Sequence, residues 1–258
     1  MQVENNERDL LDPAIKGTTE VLKSIQKNNP NVKRVVITSS FASIVDMDKG
    51  ARPGYTYSEK DWNPVTYETA SKKETDGGVA YCASKTFAEK AAWNFVKTEK
   101  PNFTISTICP PLVFGPIVHY LNSLDALNTS NQRVRNFITG QAKKEIPDTG
   151  TFIWVDVRDL ALAHVKAIEV PQAADKRFFI TAGYFSNKEV VEIIRKNFPE
   201  YETELPGKDV KGGDYPEGGQ AGLYKYDNSR VKNVLGIEFT PLEKSIVDLV
   251  KSLKAVGA

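Results

Sequence analysis

Two cysteines, two histidines and no long apolar run are the first things the sequence withholds. Cys82 and Cys109 stand alone, in no metal-type spacing, which argues against a zinc site or a disulfide framework and reads as two reduced thiols in a cytoplasmic protein. His119 and His164 have no metal-type companions either. No apolar stretch approaches the roughly 20 residues that span a bilayer, and the opening MQVENNERDL carries no signal-peptide core. Charge of one sign is also missing. With 34 basic against 33 acidic residues the formal net charge is +1, so no field draws in nucleic acid or an anionic membrane. Internal repeats and low-complexity tracts are absent.

What is present is an alternation of helix and strand. Asp12-Pro13 reads as an N-cap followed by proline at the first helical position. Ile15, Thr18, Leu22 and Ile25 then recur at helical spacing until Asn28-Asn29-Pro30. The apolar run KRVVIT (33–38) is the pattern of a strand buried on both faces. A long helix is expected over 79–100, closed by Pro101. A second strand, FTISTIC (103–109), is broken by Pro110-Pro111. Further on come a helical segment at 131–139, a short strand at 152–155 and a helix at 157–168. A third long strand follows at RFFIT (177–181), and Ser186 caps a helix reaching Asn197. A mobile loop is expected over 206–223 and a last helix over 241–253. This order predicts an α/β fold with a parallel sheet, whose chemistry gathers at the C-terminal ends of its strands, where Ser39-Ser40 and Pro110–Val113 lie.

Tyr81-Cys82-Ala83-Ser84-Lys85 is a Tyr-x-x-x-Lys, which a helix places on one face a single turn apart. A phenol with a pKa near 10 is a poor proton carrier at neutral pH, and a neighbouring ammonium is expected to lower it. A hydroxyl on a strand end such as Ser39-Ser40 can hold a carbonyl oxygen while the tyrosine supplies its proton. A second match, Tyr184 and Lys188, falls across a Gly-containing loop and a helix cap, which separates its members. Cys109 reads as a small buried filler. Asp156, Arg158 and Asp159 read as a structural charge network at a helix start.

These runs, RVVITSSFASI, YCASKTFAEKAAWNF, PPLVFGP and WVDVRDLALAH, together resemble the extended short-chain dehydrogenase/reductases. Within that family the chain is similar to the dihydroflavonol-reductase-like branch and its yeast methylglyoxal and aldehyde reductases. The resemblance runs from Glu7 to the C-terminal helix. It implies a Rossmann-like doubly wound parallel sheet with a smaller C-terminal substrate-binding lobe. The core would take residues 1–115 plus 150–182, and the lobe 116–149 plus 183–258. It implies NADPH/NADP+ as cofactor and a small-molecule carbonyl substrate, an aldehyde or ketone of methylglyoxal type, in a monomer or weak homodimer. Ser40 would hold the substrate oxygen, Tyr81 would donate the proton, and Lys85 would lower the tyrosine pKa while binding the nicotinamide ribose. Pro110, Leu112 and Val113 would pack along the nicotinamide, Ser130 would reach the cofactor phosphates, and Phe41 and Val45 would line the substrate pocket.

One family element has no counterpart. The Gly-x-x-Gly-x-x-Gly turn that seats a pyrophosphate on a helix N-terminus is not in this sequence. Gly77-Gly78 and Gly212-Gly213 are expected to follow no strand and open no helix. About 60–90 residues, two βαβ units, would precede the resemblance in the family. A chain without them is expected to leave the 33–38 strand with an apolar edge and to hold NADPH weakly, which opens the alternative of a cofactor-deficient, non-catalytic fragment. The same scaffold also carries sugar-nucleotide epimerases and dehydratases, which need a phosphate-recognising basic cluster in the C-terminal lobe.

Overall fold

In this computed structural model residues 3–257 are described. From the N-terminus the elements are α1 (Asp12–Asn28), β1 (Arg34–Thr38), β2 (Thr56–Tyr57), α2 (Tyr67–Ser71) and α3 (Gly77–Glu99). Next come β3 (Thr104–Cys109), β4 (Leu112–Phe114), α4 (Thr129–Ile138), β5 (Ile153–Asp156) and α5 (Val157–Glu169). The chain closes with β6 (Lys176–Phe179), β7 (Gly183–Tyr184), α6 (Asn187–Asn197), β8 (Lys225–Tyr226) and α7 (Leu242–Ala255).

The chain forms two compact units, each assembled from separated stretches. The first takes the residues up to Pro110, Leu162–Ile180 and Tyr224–Ile237. Its sheet is parallel, in the order β1-β3-β6, with Val35 opposite Ile105 and Ile108 opposite Phe178. The β-branched run of β1 suits a pleated strand packed by helices. Leu22 of α1 and Ala92 and Phe95 of α3 close on Phe103 and Ile105, with Val35 and Ile37 of β1 against them. The Arg34 guanidinium donates to the Ala167 and Val170 carbonyls at 2.9 and 2.7 Å, tying β1 to the end of α5. The second unit takes Pro111–Ala161, Thr181–Leu223 and the chain from Glu238 onward. Its sheet is β4-β5-β7, with β4 parallel and β7 antiparallel to β5. Phe114, Val134, Phe137, Trp154, Phe185 and Leu249 form its core.

Two local expectations are corrected here. Asp12 is not a cap: its φ of −60° and ψ of −50° are helical, and the π-turn Glu7–Leu11 runs straight into α1. Asn5 begins that turn, its side chain accepting the Arg8 amide at 2.9 Å, and the Asp12 carboxylate is left to pair with Lys16 at 2.5 Å. Gly77-Gly78 does open a helix, α3, with Asp76 as its cap. The loop over 206–223 contains no long element, as expected, but it is pinned. Gly213 lies so close to Ile146 that an added Cβ would sit 2.3 Å from the isoleucine Cγ2.

Candidate active site

Ser40 stands where β1 ends. The Ser39 amide donates to the Ile108 carbonyl at 2.7 Å and the Phe41 amide to the Pro110 carbonyl at 2.8 Å, so the ladder to β3 grips the residue on each side of it. Ser40 itself is extended, and its Oγ accepts the Ala42 amide at 3.1 Å, capping the 3-10 turn Phe41–Ser43. A serine between two ladder bonds has little freedom to turn away.

Tyr81 lies in the second turn of α3 and is 45% exposed. Burial of the rest of the phenol raises its pKa, and a hydrogen bond with the Ser40 side chain lowers it; the net direction is up. The Lys85 ammonium sits 5.7 Å from the centre of the Tyr81 ring. The net upward direction runs against the expectation that Tyr81 is brought below its ordinary value. The arrangement holds the phenol in its protonated form, which is what a proton donor requires.

The remaining candidates divide between the two units. Pro110 is buried at the end of β3. Phe41 is 4% exposed and stacks on Phe179 with ring centres 5.1 Å apart, and Val45 is buried near it in sequence. In the second unit Leu112 and Val113 are half-buried in β4. The Val113 amide donates to the Ser130 hydroxyl at 3.1 Å, which fixes the start of α4 to that strand. Tyr184 is not in a loop but in β7, paired with Ile153 of β5, while Lys188 reaches Asp214 at 2.9 Å. Burial pushes the Cys109 thiol up to about 12, in keeping with a filler. Arg158 and Asp156 do form the expected ion pair.

Sequence reasoning missed one group. Glu89, two turns beyond Tyr81 on α3, is 2% exposed and carries an ion pair to Arg177 at 2.7 Å. Its signal was a carboxylate at the four-residue spacing of Tyr81 and Lys85, with Ala88 and Ala92 beside it on the helix.

Comparison with known proteins gives a consistent picture. The profile of the NAD dependent epimerase/dehydratase family matches residues 2–181. The ketoreductase azaE of Aspergillus niger is 46% identical over 246 residues, 95% of this chain and 69% of that protein. The NADPH-dependent methylglyoxal reductase GRE2 of Saccharomyces cerevisiae is 34% identical over 256 residues, 97% of this chain and 72% of its own length. Among solved structures, yeast methylglyoxal/isovaleraldehyde reductase Gre2 complexed with NADPH superposes with a TM-score of 0.84 at 32% identity, over 100% of this chain and 74% of that one.

Proposed function

This chain belongs to the NAD dependent epimerase/dehydratase family, and from that premise we propose that it is an NADPH-dependent reductase of small aldehydes and ketones of methylglyoxal type. The architecture is the Rossmann-like α/β fold of those reductases. The observation that carries the proposal is Tyr81 and Lys85 one helical turn apart on α3, 5.7 Å from ring centre to ammonium, with the Ser40 side chain close enough to act on the phenol.

In this reading Ser40 and Tyr81 both donate hydrogen bonds to the substrate carbonyl oxygen. NADPH, when bound, supplies the hydride. As negative charge gathers on the oxygen, the Tyr81 O–H bond breaks and its proton completes the alcohol. The phenolate left behind lies near the Lys85 ammonium, and its partial exposure lets water return the proton. Phe41 and Val45 form the packed wall behind the carbonyl. Lys85, Pro110, Leu112, Val113 and Ser130 are assigned to the cofactor, the lysine to its ribose. The dinucleotide-binding core is assigned to residues 1–115 plus 150–182 and the substrate lobe to 116–149 plus 183–258. The setting is cytoplasmic, a reading supported by two cysteines that are both free thiols. No helix among the described residues is long and apolar enough to cross a membrane.

The fit to the cofactor is uneven. Tyr81 and Lys85 suit its nicotinamide-ribose end. For the pyrophosphate, the glycine-opened helix N-terminus of α3 offers no seat, because the Asp76 carboxylate already accepts the Gly78 and Val79 amides at 2.8 and 3.3 Å. A chain that binds no NADPH is the second reading. The purified chain is expected to oxidise NADPH with methylglyoxal or 3-methylbutanal, and Tyr81→Phe to cut turnover by roughly 10²–10⁴-fold. Undiminished turnover in Tyr81→Phe removes the mechanism. Turnover of UDP-sugars in place of aldehydes would point to an epimerase, and absence of NADPH binding by fluorescence would select the second reading.

A further inference from the structure

We propose that Glu89 is a positioning residue: from the helix that carries Tyr81 and Lys85 it clamps Ser39 and Ser43, and so sets the Ser40 hydroxyl against the Tyr81 phenol. The proposal rests on the reductase reading for its consequences in turnover, but its geometry stands alone.

Residues 81, 85 and 89 recur at one-turn spacing and share a face of α3. One Glu89 oxygen accepts from Ser39 Oγ at 2.6 Å, from Ser43 Oγ at 2.7 Å and from Arg177 Nη2 at 3.2 Å. The other accepts from Thr107 Oγ1 at 2.6 Å, Arg177 Nε at 2.7 Å and Trp93 Nε1 at 3.2 Å. A single carboxylate therefore joins α3, β3, β6 and both ends of the turn that begins at Ser40. The grip reaches Ser40 itself, since Ser43 Oγ lies 2.8 Å from the Ser40 carbonyl and divides its one proton between that oxygen and Glu89. The Thr107 and Arg177 contacts anchor the clamp, and the two serines are what it holds.

The cation side is equally fixed. Arg177 Nη1 donates to the Glu59 and Asp61 carbonyls at 2.8 and 2.7 Å, and its guanidinium lies 3.6 Å from the centre of the Trp62 ring. Arg230 donates to the Arg177 carbonyl at 3.0 Å and pairs with Glu59 at 2.8 Å. Burying an ion pair is an expensive way to fill a core, and apolar residues of similar volume commonly do as well or better. Stability alone does not account for a carboxylate that gathers the two serines flanking Ser40. Arg177 keeps Glu89 ionised against the opposing effect of burial, so the clamp stays an acceptor for both hydroxyls.

The obvious variant, Glu89→Gln, strands Arg177 as an uncompensated buried charge and risks failing to fold. Ser39→Ala/Ser43→Ala is the cleaner test, because it releases the turn while leaving the Glu89–Arg177 pair in place. The groups facing the Tyr81 phenol are Ser40 from the turn and Cys82 and Lys85 from α3, and none of these is altered. The Tyr81 midpoint is read by NMR of ring-labelled tyrosine, assigned with Tyr81→Phe, with Ser40→Ala as reference for full loss of the bond. An upward shift of roughly half to one pH unit is expected, approaching that of Ser40→Ala. With it goes a roughly tenfold to hundredfold fall in kcat and little change in KM for NADPH. A lowered Tm with the midpoint unmoved, and with kcat and KM unmoved, would overturn the proposal and leave Glu89 as core packing. The titration needs no turnover, so a chain inactive with NADPH would defeat the reductase reading while still deciding this one.

Discussion

Asp156 is fully buried at the end of β5, and Arg158 meets it with two nitrogens, Nε and Nη2, each at 2.8 Å. Burial opposes its ionisation most strongly, but the Arg158 hydrogen bonds prevail and hold its carboxyl below the usual range. A depressed folded pKa contributes stability that is complete above the unfolded value, about 4, and is lost as pH falls through the folded value. Arg158→Leu is expected to cost on the order of 3 kcal/mol at neutral pH, less than a fully buried pair because Arg158 is partly exposed. The gap from the parent should narrow as pH falls from about 4 through the depressed folded value, below which Asp156 is protonated in both proteins. Urea unfolding at the two pH values checks the sign; a gap that widens in acid would refute it. At this scale the placement of Ser40 at a strand end and of Tyr81 and Lys85 on one helix was legible because it is local, a Tyr-x-x-x-Lys and a serine after an apolar run. The Arg177 partner of Glu89 was not, since the pair forms across 88 residues and only the fold brings it together.

Among the elements, α3 has the most demanding start. Two glycines in its first turn weaken it, and Asp76 compensates by accepting the Gly78 and Val79 amides. Asp76→Ala should cost about 1 kcal/mol of stability, and Asp76→Asn much less, in denaturant titrations. Equal losses in the two would mean that the charge, and not the cap geometry, is what matters there. At its other end Lys100 turns left-handed, with φ of +46°, directly before Pro101, which cannot follow a helical residue comfortably. The proline was readable in advance; the cap at Asp76 was obscured by the glycines. β1, β3 and β6 were legible as β-branched or aromatic apolar runs. β2, β7 and β8 have two residues each, too few to show a period, so Tyr184 read as loop. The π-turn ahead of α1 was hidden by Asp12-Pro13, a convincing start signal that the structure places inside a helix.

For the whole molecule, the decisive fact is that the first unit draws on three stretches of chain. A fragment ending at Pro110 would contain β1, β3, α3 and the entire Ser40–Tyr81–Lys85 set, yet lack β6 and with it Arg177. Glu89 would then be an uncompensated charge beside an unpaired edge of β3. Such a fragment is expected to lose near-UV circular dichroism and bind a hydrophobic dye; a native-like near-UV spectrum would show that β6 is dispensable. The same arrangement bears on how the polypeptide matures as it leaves the ribosome. The residues that would do chemistry emerge early, but the strand that completes their sheet follows only after the first stretch of the second unit, Pro111–Ala161, has been made. Until translation passes Arg177 the nascent chain displays a bare sheet margin, so this protein's dependence on chaperones should be greatest over that interval.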